Sequence, residues 1–200
     1  LAGFGWADFT AEKLEYFGGF NYLKAGLVYA DLLSTVSPSY AREIQGSAEF
    51  GRGMEGVLRH RSKDLHGILN GIDTRSWDPR TDESLARTYG PKDAREGKAA
   101  NQAALRKELG LDAQARGPLL GVVSRLDPQK GLDLVLQAAP GLAEKGAQLA
   151  VLGSGDPDLQ AGFARLAKRS PKSVACSFGF NDPLARRIYA ASDLFLMPSR

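Results

Sequence analysis

The sequence predicts an α/β protein built on a parallel sheet, and three observations carry that prediction. Past residue 118, continuous apolar runs at 119–124, 148–152, 173–178 and 194–197 alternate with segments of helical apolar spacing at 132–145, 159–168 and 184–191. Strands that are apolar throughout are buried on both faces, as parallel strands covered by helices are. Glycine, proline or a basic residue punctuates the loop that follows each run, where an open parallel sheet places its ligands. Together these describe a doubly wound, Rossmann-like sheet, left incomplete at residue 200, with a separate part of the chain on its N-terminal side.

Residues 1–66 form the first part. Helices are expected at 12–17 and 21–30, broken by Gly18-Gly19, and a short strand at 32–36. Ser37-Pro38 opens a helix to residue 44, since serine is a good N-cap and proline suits the first helical position. Gly51 and Gly53 bracket a turn before a helix at 54–61. Residues 67–200 form the second part. It opens with a strand at 66–69, the turn signal Asn70-Gly71 and a polar stretch at 74–81. Helices are expected at 83–89 and 98–109, the latter stopped by Gly110.

Composition narrows the function classes. With 43% hydrophobic and 24% charged residues the chain has the make-up of an ordinary soluble globular protein. Its net charge of +3 is mild and carries no concentrated basic stripe, so a nucleic-acid partner is not expected. No apolar run approaches the roughly 20 residues that span a bilayer, so no membrane partner is expected either. The single cysteine, Cys176, lies in an apolar run and reads as a buried structural thiol. No group of Cys, His or carboxylates has metal-ligand spacing, so no metal and no cofactor is expected. Both ends read as cuts: Leu1 is no initiator and the last residues run along a strand.

The chemistry concentrates in the loops after the strands. Ser124-Arg125-Leu126-Asp127-Pro128-Gln129-Lys130-Gly131 follows one buried strand and opens a helix. An Arg fork, a mobile Lys ammonium and the free N–H groups of a helix start suit a diphosphate. Spacing alone is equally compatible with two solvated surface cations. Gly153-Ser154-Gly155-Asp156-Pro157 lets backbone approach a ligand, although a tight turn with Asp156 capping the next helix is the simpler reading. Gly179-Phe180-Asn181-Asp182-Pro183 offers a place for a ring to lie against backbone, or a turn in which Asp182 caps a helix from Pro183.

Four stretches in order resemble the bacterial glycogen synthase and plant starch synthase family. They are Tyr29-Ala30-Asp31 running into Thr35-Val36-Ser37-Pro38-Ser39-Tyr40-Ala41-Arg42-Glu43-Ile44, Gly67-Ile68-Leu69-Asn70-Gly71-Ile72-Asp73 with Trp77-Asp78-Pro79, residues 121–134, and Leu152-Gly153-Ser154-Gly155-Asp156-Pro157. The resemblance implies a retaining GT-B glycosyltransferase that moves glucose from ADP-glucose to the non-reducing end of an α-1,4-glucan, without a metal, in the cytoplasm of a bacterium or in a plant plastid. It implies that residues 1–66, as the tail of a second Rossmann-like domain, end the acceptor-side domain and residues 67–200 begin the nucleotide-sugar domain. Arg125 and Lys130 would then hold the donor diphosphate as catalytic cations. Asn70 and Gln129 would lie by the donor, Gly153 and Gly155 would line the nucleotide pocket, and Gly179 and Phe180 would sit near the adenine. The chain departs from the family in three ways. It lacks the Lys-x-Gly-Gly-Leu loop and the Glu loop expected beyond Arg200, so the fragment itself is expected to be inactive, and it has Phe180-Asn181 where members often carry Tyr-His. Competing readings are another retaining GT-B transferase, of the sucrose, trehalose or lipopolysaccharide type, and a dinucleotide-binding oxidoreductase. The oxidoreductase would need a third glycine where Asp156-Pro157-Asp158 stands.

Overall fold

The computed structural model describes residues 3–200, which divide into two compact units, one ending at Ile72 and the other Asp73–Arg200.

The first unit is built from short elements. A hairpin of β1 (Glu15–Tyr16) and β2 (Gly19–Phe20) precedes α1 (Tyr22–Tyr29). The helix expected at 12–17 is therefore absent. Phe17 and Gly18 both have positive φ, 49° and 81°, which is the two-residue turn that suits the twist of a hairpin. Next come β3 (Leu33–Thr35), α2 (Pro38–Gly46), α3 (Ala48–Gly51), α4 (Glu55–His60) and β4 (Leu65–Gly67). The Ser37 hydroxyl accepts from the Tyr40 N–H at 2.9 Å and caps α2 as its sequence suggests. Strand β4 pairs parallel with β3, Leu33 opposite Leu65, so this strand adds to the sheet of the first unit. Leu33, Ile44, Met54 and Leu58 form the unit's small core.

The second unit opens without regular structure. The helix expected at 83–89 does not form, because the buried Asn101 side chain takes over the local backbone. Its Oδ1 accepts from the N–H of Ala86 at 2.9 Å and of Arg87 at 3.3 Å, while its Nδ2 donates to the Arg87 carbonyl at 2.7 Å. Helix α5 (Ala94–Leu109) starts four residues earlier than expected and ends at Gly110, whose φ of 70° closes it.

The regular alternation then follows: β5 (Leu119–Val123), α6 (Leu132–Glu144), β6 (Gln148–Gly153), α7 (Pro157–Arg169), β7 (Val174–Phe178), α8 (Asp182–Ala191) and β8 (Leu194–Phe195). The four strands are all parallel, in the order β7-β6-β5-β8. The period-2 geometry of β6 divides the core into two layers. Leu149 and Val151 pack with residues of α6 and α7, including the fully buried Phe163. Ala150 and Leu152 pack on the other face with Leu105 of α5 and Leu184 and Ile188 of α8. A doubly wound sheet covered on both faces is thus present. Parallel pairing brings the carboxyl ends of all four strands to one edge, and the order reverses at β5, between β6 and β8. No helix among the described residues is long and apolar enough to cross a membrane.

Candidate nucleotide-sugar site

A pocket of about 240 Å³ opens at the carboxyl edge of the sheet. Val123, Ser124 and Arg125 reach it from β5, Leu152, Gly153 and Ser154 from β6, and Gly179, Phe180, Asn181 and Ala185 from the β7–α8 connection.

Backbone pairing carries on past the strand ends and fixes the loop that bears Arg125. The Ser124 N–H donates to the Leu152 carbonyl at 3.1 Å and the Leu126 N–H to Ser154 at 2.9 Å, and Leu126 pairs with Gly155 as a bridge. Arg125 sits between these two anchored residues with its own side chain exposed. The ion pairs formed among the described residues leave both Arg125 and Lys130 out. A cation held at a strand end with no carboxylate partner is open to pairing with an anion.

Lys130 closes a 3-10 turn, Pro128–Lys130, that Asp127 caps by accepting from the Gln129 N–H at 2.9 Å. Helix α6 then begins at Leu132, after Gly131 at the cap position, which has no side chain to offer, in contrast to α7 and α8. The Leu134 N–H already donates to the Gly131 carbonyl at 3.0 Å, so the start of α6 adds the partial positive charge of a helix N-terminus beside Lys130 rather than a full set of free donors. The loop is braced from the segment that follows β8. The Arg200 guanidinium donates to Asp133 at 2.8 and 2.6 Å and to the Pro128 carbonyl at 2.8 Å, and holds the Asp133 carboxyl below its usual range.

Of the residues singled out from sequence, Arg125, Gly153, Gly179 and Phe180 share the pocket. Lys130, Gln129 and Gly155 stand on the adjoining loops and do not line it, and Asn70 lies exposed after β4 in the first unit. The two pocket glycines differ. A Cβ on Gly153 would stand 1.8 Å from the Ser124 carbonyl oxygen, so backbone packing requires that glycine. Gly179 has φ 121° and open space where its Cβ would be. Helix α7 is capped by Asp156, as its sequence suggests, through bonds from Asp158 and Leu159. Helix α8 is capped by Asn181, which accepts from Leu184 at 3.0 Å, and not by Asp182, whose carboxylate instead takes the Arg186 guanidinium at 2.6 Å. Sequence reasoning missed Ala185 as a pocket residue, since an alanine one turn into a helix carries no signal of its own. Cys176 is partly covered on β7 and burial pushes its thiol up to about 12, which fits a structural role.

Two family descriptions match in order: "Starch synthase catalytic domain" over residues 1–60 and "Glycosyl transferases group 1" over residues 117–200. The glycogen synthase of Anaeromyxobacter dehalogenans strain 2CP-C is 50% identical over 198 residues, 99% of this chain and 41% of the relative. That of Dechloromonas aromatica is 53% identical over 189 residues, 94% of this chain and 39% of the relative. Among solved structures, the catalytic domain of starch synthase IV from Arabidopsis thaliana, bound to ADP and acarbose, superposes with a TM-score of 0.86 at 38% identity, covering 96% of this chain and 40% of that one. Anabaena HepE in complex with UDP gives a TM-score of 0.54 at 19% identity and shares the fold. The chain thus spans about two fifths of the length of the curated relatives it matches. With these similarities running through both units, the chain belongs to the family of bacterial glycogen synthases and plant starch synthases, glycosyltransferases of the GT-B fold.

Proposed function

We propose that the intact protein is a cytoplasmic glycogen synthase, transferring glucose from ADP-glucose to the non-reducing end of an α-1,4-glucan with retention at the anomeric carbon. One observation carries this reading. An unpaired arginine, Arg125, lines a pocket at the carboxyl ends of three parallel strands, together with an open-faced glycine and an exposed phenyl ring. In this reading residues 1–66 end the acceptor-side domain and residues 67–200 start the donor-side domain.

The donor's diphosphate lies over the loop after β5. Arg125 meets it as a planar fork, and Lys130 and the uncapped start of α6 meet it from the next turn. As the glycosidic bond to phosphate breaks, negative charge grows on the departing ADP, and fixed cations stabilise that charge more than they stabilise the intact donor. The nucleoside extends toward Gly153, Gly179 and Phe180, where the adenine ring rests on backbone and phenyl. Gln129, on the same loop as Lys130, contacts the donor beside it. The relatives support the glucan acceptor: the curated ones are glycogen synthases, and the solved starch synthase IV domain binds ADP and acarbose.

Substituting Arg125→Ala or Lys130→Ala in the intact protein is expected to lower turnover of ADP-glucose on glycogen by more than about tenfold, roughly 1.4 kcal/mol of transition-state stabilisation. A smaller loss at either position removes it from the role. Assayed side by side, ADP-glucose is expected to outrun UDP-glucose, and equal rates would defeat the adenine assignment.

A further inference from the structure

We infer that Arg186, a residue outside the pocket, is a positioning residue for it. It locks helix α8, whose first turn lines the pocket, to the segment by which the chain enters the second unit. This inference rests on the proposed donor site and adds to it a part that no pocket contact reveals.

The segment 73–90 has no helix or strand of its own, so its place depends on what grips it. Asp73 ties the first turn locally, accepting from the N–H groups of Arg75 and Ser76 at 3.0 and 3.1 Å. Asn101 of α5 holds the far end of the segment at Ala86 and Arg87, and α8 grips its first part. The Arg186 guanidinium donates to the Ser76 carbonyl, to the Ser76 hydroxyl at 3.0 Å and to the Asp82 carboxylate at 3.2 Å. Its face lies over the Trp77 ring, 4.4 Å from the centroid. The ring in turn meets Tyr189, one turn further along α8, edge-on at 5.7 Å.

The same guanidinium points back to the start of its own helix, where Nε donates to Asp182 at 2.6 Å. Asp182 directly follows Asn181, the cap of α8, and both Asn181 and Ala185 line the pocket. One planar group with five donors therefore joins residues 76–82 to the pocket-lining turn, and a lysine cannot reproduce that fork. The side chain is 14% exposed and that of Asp82 10%, so this pair is largely shielded from water, while Asp182 is 45% exposed. Shielded pairs weaken little with salt.

The neighbouring residue supplies a control. Arg187 is also on α8 and also makes a two-bond pair, to Glu108 of α5 at 2.8 Å for each bond, but it makes no hydrogen bond or ion pair to residues 73–90. Both arginines hold α8 in place, and only Arg186 joins it to the entry segment.

The test compares Arg186→Lys, Arg186→Ala and Arg187→Ala in the intact protein. Amide hydrogen exchange at residues 179–185 and the Kd for ADP are read alongside the melting temperature. With Arg186 replaced, exchange at 179–185 is expected to accelerate and ADP to bind about tenfold more weakly, a typical size for coupling through a connected network. Arg187→Ala is expected to leave both readings within about twofold of the parent at a comparable loss of melting temperature. If Arg186→Ala does not fold, Arg186→Lys decides on the same readings. Unchanged exchange at 179–185 in a folded Arg186 variant, or equal acceleration in Arg187→Ala, overturns the inference. A parent protein that binds no ADP would overturn the donor assignment instead, and the exchange comparison would still decide the role of Arg186.

Discussion

The loops that leave β6 and β7 both enter the pocket on a glycine, yet the two glycines answer to different demands. Gly153 is buried at the point where the β6 backbone passes against the end of β5, and a side chain there would collide with the Ser124 carbonyl. Gly179 sits at φ 121° with open space where its Cβ would be, so its demand is conformational, and it lines the pocket. A glycine after a strand is therefore no sign of a ligand by itself. What distinguishes the two is whether protein backbone or empty space stands where the Cβ would be.

The most severe way to break this comparison is Gly153→Ala. The added carbon would lie 1.8 Å from a backbone oxygen that itself belongs to the Arg125 loop, with no flexible side chain to move aside. Pushing β5 and β6 apart breaks the ladder that continues through Ser124 and Leu126. The expected cost is about 3 kcal/mol or more, the upper end of overpacking in a tight site. A clear fall in the melting temperature of the intact protein checks it, and a stable variant with intact ADP binding would show that the two loops are not in contact.

Gly179→Ala sharpens the contrast. No atom stands in the way, so only the backbone strain of a positive φ is added, about 1–3 kcal/mol. Stability is expected to fall less than in Gly153→Ala, while ADP affinity falls more per unit of stability lost, because the strain and the new methyl fall on a residue that lines the pocket. Thermal unfolding and ADP titration of the two variants side by side decide the ordering.

How much of this was legible in the sequence follows the regularity of the chain. From Leu119 onward every strand and helix announces itself by apolar period, and the parallel sheet with its edge of loops follows. The losses fall where single side chains overrule the local pattern. Asn101 bonds the backbone at Ala86 and Arg87 and prevents a helix there, from a position 14 or 15 residues away in sequence. The Phe17-Gly18 turn makes a hairpin without the Asn-Gly or Asp-Gly that usually marks one. In the site, Arg125, Gly153, Gly179 and Phe180 were readable because they flank strand ends. Ala185 and the Arg186 tie were not, because their meaning lies in what α8 packs against. Asn181 was read past in favour of Asp182, since both residue types cap helices and only geometry separates them.

Phe180→Ala is expected to have the smallest effect on stability and tests the open side of the comparison alone. The ring is 96% exposed, so removing it gives up almost no buried area. The melting temperature is expected to stay near that of the parent, since exposed substitutions usually change stability by about 0.5 kcal/mol or less. The same ring stands at the mouth of the pocket beside Gly179. Stacking of a base on an aromatic face contributes about 1–3 kcal/mol. If the adenine lies there, ADP binding is expected to weaken about fivefold to a hundredfold in a variant that melts like the parent. Loss of binding without loss of stability would separate the ligand-facing loop from the packed one. Unchanged binding would move the base away from Phe180 and leave Gly179 with a purely conformational reason to be glycine.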